Sequence, residues 1–239
     1  MLQPYRNDSP AWVSASGIDV QARVSAFIRS VYGWMFSGLA LTALAALWVA
    51  ASPAMQQIIF QTPGVSIALI VIELGLVIFL SFRIQKMAPA TAASAFMVFS
   101  LLNGLTLSVV LLVYTGAAVF QAFAVTGVTF GAMSIYGLVT KKDLTSWGSF
   151  FFMGLIGVIL ASVVNFFLRS SVLEMTISVI GVFVFVGLTA YDTQKLKHYA
   201  LMAEGDRVTN FAVIGALALY LDFINLFLMI LRLMGGRRD

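Results

Sequence analysis

The 239-residue chain contains no cysteine, a single histidine (His198) and few charges: 14 Lys and Arg and 10 Asp and Glu, only 10% of the residues. Without cysteine there is no disulfide and no thiolate metal site, and the redox compartment leaves no trace in the sequence. A lone His198 supports no His-based metal motif, and no phosphate-binding glycine loop is present. The shortage of charge excludes a soluble monomer, because a soluble domain carries roughly 25% charged residues to cover its surface. Ten-residue alternating segments are also lacking, which excludes a membrane β-barrel. The first 30 residues are polar and broken by Pro4 and Pro10, so no cleavable signal peptide is expected. The net charge of +4 is small, and no nucleic-acid partner is expected.

What the chain has is apolar surface. Hydrophobic residues make up 61% and mean hydropathy is +0.99. Seven apolar segments stand out, at 31–51, 65–82, 90–114, 117–140, 147–168, 172–195 and 209–233. Each is near the roughly 20 residues that a helix rising 1.5 Å per residue needs to cross the hydrocarbon layer. The expected fold is therefore all-α: a polytopic membrane protein with seven transmembrane helices over 31–239, preceded by an N-terminal arm, 1–30. In that arm "IDVQARVSAFIRSV" sets Ile18, Val20, Val24, Phe27, Ile28 and Val31 near one helical face, with Arg23 and Arg29 away from it. This pattern predicts a helix lying on the inner membrane surface.

Orientation follows from the basic residues. With the N-terminus inside, Arg6, Arg23, Arg29, Arg83, Lys86, Lys141, Lys142, Lys195, Lys197 and Arg207 face the cytoplasm, against Arg169, Arg232, Arg237 and Arg238 outside. The excess favours a cytoplasmic N-terminus. A last segment that re-entered would bring the basic tail inside as well. A full crossing is preferred, because 209–233 is long and apolar enough to span.

That last segment, "ALALYLDFINLFLMILRLM" (216–234), is interrupted by Asp222. A carboxylate at bilayer depth costs several kcal/mol unless compensated, and so marks a functional site with a partner to be found. Glu73 lies at the centre of the second segment, Arg83 at its inner end, and Asp192 late in the sixth. Asp192 is the natural partner, since consecutive segments run antiparallel, but the depths agree only if the sixth helix continues beyond Lys195. Nothing from Thr193 to Glu204 breaks a helix, and "AEGD" offers Gly205 as a stop followed by an Asp cap. A helix reaching Ala203 places Asp192 about 16 Å from its end, and Asp222 about 20 Å from a start near Thr209. Two such carboxyls compete for protons and titrate as one unit. Arg83 is placed to hold a carboxylate ionised, and Asn225, one turn after Asp222, to add a neutral hydrogen bond. The pair also offers oxygen ligands to a hard cation such as Ca²⁺. The plainer alternative is polar glue between helices. Gly127 and Gly131 form a GxxxG, expected to serve close helix packing.

"GLTAYDTQ" and "ALALYLDFINLFLMILRLMG", with "ELGLVIFLSFRIQKMAPATA", "SIYGLVTKKDLTSWG" and "GVILASVVNFF", resemble the Bax inhibitor family, bacterial members included. The likeness runs from about residue 20 to the end. It implies seven helices with the last one central, in a bacterial inner membrane, and a pH-sensitive Ca²⁺ leak gated by a pair of aspartates. By motif these are Asp192 and Asp222, with Arg83 as the latch and Glu73 at a typical acidic position. Ca²⁺ is then the permeant ion, with no tightly bound cofactor. The resemblance also implies an alternative, a stress-protective regulator that binds a membrane protease. No enzyme is expected. An intramembrane aspartyl protease would set its second aspartate in "GxGD", where this chain reads "LYLD", and the seventh segment has no lysine to carry a Schiff base.

Overall fold

The computed structural model describes residues 11–203, 205 and 207–236, with side chains from Val20 onward. Seven long helices follow one another: α1 (Ala11–Ala51), α2 (Val65–Arg83), α3 (Pro89–Val113), α4 (Gly116–Val139), α5 (Thr145–Leu168), α6 (Ser171–Met202) and α7 (Arg207–Met234). Each contains a stretch long and apolar enough to cross a membrane. The protein is an all-α polytopic integral membrane protein. Local chemistry sets the boundaries. Ser52 caps the short turn Pro53–Gln56 after α1, Pro89 occupies the first turn of α3, and the Thr115 and Ser170 hydroxyls accept backbone N–H bonds at the starts of α4 and α6. Pro and hydroxyl residues suit these positions because the first helical N–H groups have no partner within the helix.

Two boundaries differ from expectation or depend on it. The stretch 18–31 is not a separate surface helix but the continuous first part of α1, which runs 41 residues. No breaker interrupts it. Phe27 and Val31 are buried in the core, with Val24 and Ile28 packed against it, and Val31 lies beside Gly215 of α7, so these residues turn onto the bundle, while Val20 is exposed. The extension of the sixth helix is present, with α6 continuing to Met202. Gly205 takes a φ of +54° in the turn that follows, a conformation glycine adopts without penalty. The Asp cap expected at 206 and the basic tail residues Arg237 and Arg238 lie outside the described residues.

α7 is the axis of the bundle. Two thirds (67%) of its membrane window is buried, against 6% for α2 and for α5, and it packs against α1, α3, α4 and α6. Phe223 sits between Phe123 and Phe130 of α4 (5.4 Å to each ring), while Tyr220 meets Phe96 and Phe99 of α3 edge-on at 5.8 Å. The helix also crosses fully. Near its start, Asn210 Nδ2 donates to the Ile84 and Met87 carbonyls between α2 and α3 (2.6 and 2.8 Å). Just past its end, the Gly236 carbonyl accepts from Thr115 N in the α3–α4 turn (3.0 Å). These two contacts mark opposite ends of α3, so re-entry is excluded.

Lipid tails are as apolar as a protein core, so close packing and hydrogen bonds, rather than escape from water, hold such helices together. The tightest approaches to another helix's backbone are not at Gly127 and Gly131, whose missing Cβ positions face open space. They are at Gly104 of α3, where a Cβ would lie 2.5 Å from the Thr42 carbonyl of α1, and at Gly137 of α4, where it would collide with the Ala190 carbonyl of α6.

Candidate functional site

Asp222 occupies the middle of α7 and is buried, 5% exposed. Asp192 projects from α6 and is partly buried. Their carboxyl groups lie close enough to act on each other. Asp222 Oδ2 is buried and meets no donor. Ionised carboxylates only accept, so a bond between the two requires one proton held in common. The close approach of Gly137 to Ala190, two residues before Asp192, presses α4 onto α6 beside the pair.

A cation also acts here. Lys195, one turn beyond Asp192, exerts its charge on it, and its Nζ lies 5.7 and 5.5 Å from the Tyr191 and Tyr199 ring centres. In the sequence Lys195 counted only as an orienting charge; its i+3 spacing from Asp192 was the available signal. Gln194 fixes the neighbouring turn, since its Nε2 donates to the Lys142 carbonyl (2.8 Å) and its Oε1 accepts from Leu144 N (2.9 Å). In that turn Asp143 accepts from the Thr145 hydroxyl and backbone N–H (2.6 and 2.9 Å). These bonds, the hydroxyl's first, hold its carboxyl below the usual range.

The other residues expected near the pair lie elsewhere. Arg83 is exposed in the last turn of α2, a position that suits a cation at a helix C-terminus. Among the described residues no ion pair joins it to either aspartate. Asn225 Nδ2 donates to the Leu221 carbonyl of its own helix (2.8 Å), and no hydrogen bond ties it to the pair. Glu73 is buried away from the pair and accepts from Thr106 Oγ1 (2.7 Å) and Asn103 Nδ2 (3.2 Å) of α3. Asn103 Oδ1 in turn accepts from the Tyr220 hydroxyl of α7 (3.0 Å), which lies 2.6 Å from Thr42 Oγ1 of α1. No group of three or more His, Cys, Asp or Glu side chains that could hold a metal ion occurs among the described residues.

A seven-helix membrane bundle whose buried central helix pairs an aspartate with one on its neighbour is the class that fold and site define. Within that class, residues 24–239 match the family model described as "Inhibitor of apoptosis-promoting Bax1", and the chain belongs to the Bax inhibitor family. It is 48% identical to the inner membrane protein YbhL of Escherichia coli over 228 residues, covering 94% of this chain and 97% of the relative. A Deinococcus radiodurans protein is 44% identical over 91% of this chain and 93% of its own. A Caulobacter vibrioides protein is 38% identical over 98% and 97%.

Proposed function

We propose that the protein is a pH-sensitive cation leak, with Ca²⁺ as permeant ion, in which Asp192 and Asp222 form the proton-sensing gate. One observation carries this reading: two acid groups from different helices face each other in the bundle interior, with a buried oxygen of one left without any other donor. While they share a proton, the contact joins α6 to α7. When that proton leaves, two negative charges face each other. Unit charges about 4 Å apart repel by roughly 4 kcal/mol at an effective dielectric of 20, enough to shift a two-state balance about a thousandfold. The same charges attract a cation. Two carboxylates fall short of the roughly six to eight oxygens Ca²⁺ takes, which suits transient contact with a passing ion better than a resident site. Arg83 has the latch role only in a form where α2 swings toward the pair.

The basic residues and the inner-membrane relative support an inner-membrane location with a cytoplasmic N-terminus. The test is Ca²⁺ entry into liposomes holding purified protein, measured across acid to alkaline pH. The wild type is expected to show pH-dependent entry, and the double variant Asp192→Asn, Asp222→Asn an entry that no longer varies with pH. Unchanged pH dependence in the double variant overturns the gate. A wild type silent at every pH overturns the channel and leaves the regulatory alternative.

A further inference from the structure

The acid pair uses only part of the polar machinery inside the membrane. A second set of buried and partly buried polar side chains joins four helices: Glu73 on α2, Asn103 and Thr106 on α3, Tyr220 on α7 and Thr42 on α1. Glu73 (8% exposed), Thr42 (4%) and Tyr220 (0%) are all buried. The contacts form a line, from Glu73 Oε2 to Asn103 Nδ2 (3.2 Å), from Asn103 Oδ1 to the Tyr220 hydroxyl (3.0 Å), from that hydroxyl to Thr42 Oγ1 (2.6 Å), and from Thr42 to the Ser100 carbonyl (2.8 Å). Such a line is more than glue, because each middle member can either donate or accept, while only Glu73 at one end can change its proton count.

The direction of every bond then follows from Glu73. An ionised carboxylate only accepts, so Asn103 must present its NH₂ to Glu73 and its oxygen to Tyr220. Tyr220 donates to that oxygen, and Thr42 donates to Tyr220. With its proton on Oε2, the oxygen that faces Asn103, Glu73 has a hydroxyl to give, while Oε1 goes on accepting from Thr106 Oγ1. Asn103 answers by exchanging the positions of its amide oxygen and nitrogen, so that its NH₂ now faces Tyr220. The Tyr220 hydroxyl turns to Thr42, and Thr42 donates to the Ser100 carbonyl, a fixed acceptor already within reach. One proton enters from water at Glu73, and none moves along the line; the bonds only reverse.

We infer that Glu73, Asn103, Tyr220 and Thr42 form a reversible hydrogen-bond line in which Tyr220 is a positioning residue, carrying the state of Glu73 to α7 two residues from Asp222. The groups facing Glu73 are Thr106 and Asn103 from α3, and the charge of Glu73 in turn acts on the Tyr220 hydroxyl of α7. The charged residue on its own helix, Arg83, is ten positions away, roughly 15 Å. The line leaves α7 bonded to α3 through the tyrosine proton in one state and to α1 in the other.

The line stands apart from ion permeation, so its test does not depend on flux. Infrared difference spectra of the purified full chain in lipid nanodiscs, recorded through an acid-to-alkaline titration, resolve carboxylic acid and tyrosine bands separately. Expected is a tyrosine band that moves with the same midpoint as a carboxylic acid band. Tyr220→Phe should abolish the first, Glu73→Gln should abolish both, and Asp192→Asn with Asp222→Asn should leave both in place. Asn103→Leu is the second variant: it should leave Glu73 titrating while the tyrosine band stays still. A tyrosine band that is constant in the wild type, or one that still follows pH in Glu73→Gln or Asn103→Leu, overturns the inference. Silent liposomes with coupled infrared bands would sink the channel reading and keep the line.

Discussion

Asp222 and Tyr220 are two residues apart on the same helix and depend on different kinds of partner. On the proposed reading Asp222 shares a proton with Asp192, so replacing one member has a sign that depends on the substitute. Asp222→Asn supplies an amide donor to Asp192 without needing a shared proton, and thermal unfolding of this variant in detergent should depend less on pH than that of the wild type. Asp192→Ala removes the carboxyl that acts on the buried Asp222, and should cost about 1–3 kcal/mol in the same measurement, where an unchanged midpoint would count against the pairing. Asp143 supplies a control. Its carboxyl is held below the ordinary range by Thr145, so its contribution is present above that range and is lost only as pH falls through its lowered value. Asp143→Ala should therefore leave any pH response near neutrality unmoved, and a shifted liposome-flux midpoint would move the sensor out of the interior. The two aspartates were legible because a charge inside an apolar run is conspicuous. Thr42, Asn103 and Thr106 were not, because neutral polar residues occur in many spans, and the partners that give these their meaning are up to 178 positions away.

At the scale of helices, small residues gave a misleading signal where they formed a motif and a useful one where they did not. The Gly127 and Gly131 spacing suggested a packing face, yet both look onto open space, while isolated Gly104 and Gly137 bear the closest backbone approaches. Spacing identifies a face of a helix; it does not say which face a neighbour covers. Gly104→Ala should force α1 away from α3, costing about 1–3 kcal/mol of overpacking, and should disturb the Thr42 contact with the Ser100 carbonyl. Gly127→Ala should be neutral or gain up to about 1 kcal/mol from helix propensity. Unfolding midpoints of the two variants in one detergent decide the matter, and equal effects would refute the assignment of the close contact. The reach of α6 to Met202 was legible for a better reason: an uninterrupted run without Gly or Pro has little cause to stop. At residues 18–31 an amphipathic face reads as membrane-facing, because nothing in one segment's pattern says whether lipid headgroups or another helix will meet it.

For the whole molecule, the direction of the chain through the membrane turns the absence of cysteine into a tool, since any single introduced cysteine is the only thiol. α7 begins beside the residues linking α2 and α3 and ends beside the α3–α4 turn, so its two ends emerge on opposite sides. Six exposed basic residues near helix ends then divide by geometry: Arg83, Lys86, Lys142 and Arg207 at one end, Arg169 and Arg232 toward the other. The positive-inside rule assigns the first end to the cytoplasm. In intact cells, a membrane-impermeant maleimide should label Met234→Cys, whose native side chain is 42% exposed, while Lys142→Cys and Arg207→Cys should react only after the membrane is opened. Labelling of all three from one side would contradict the crossing. The reverse pattern would keep the crossing but invert the protein, putting the α4–α5 turn and Lys195 toward the outside. The proposed gate would then sample the opposite compartment's pH, so this orientation decides which proton pool the acid pair would read if it is the sensor.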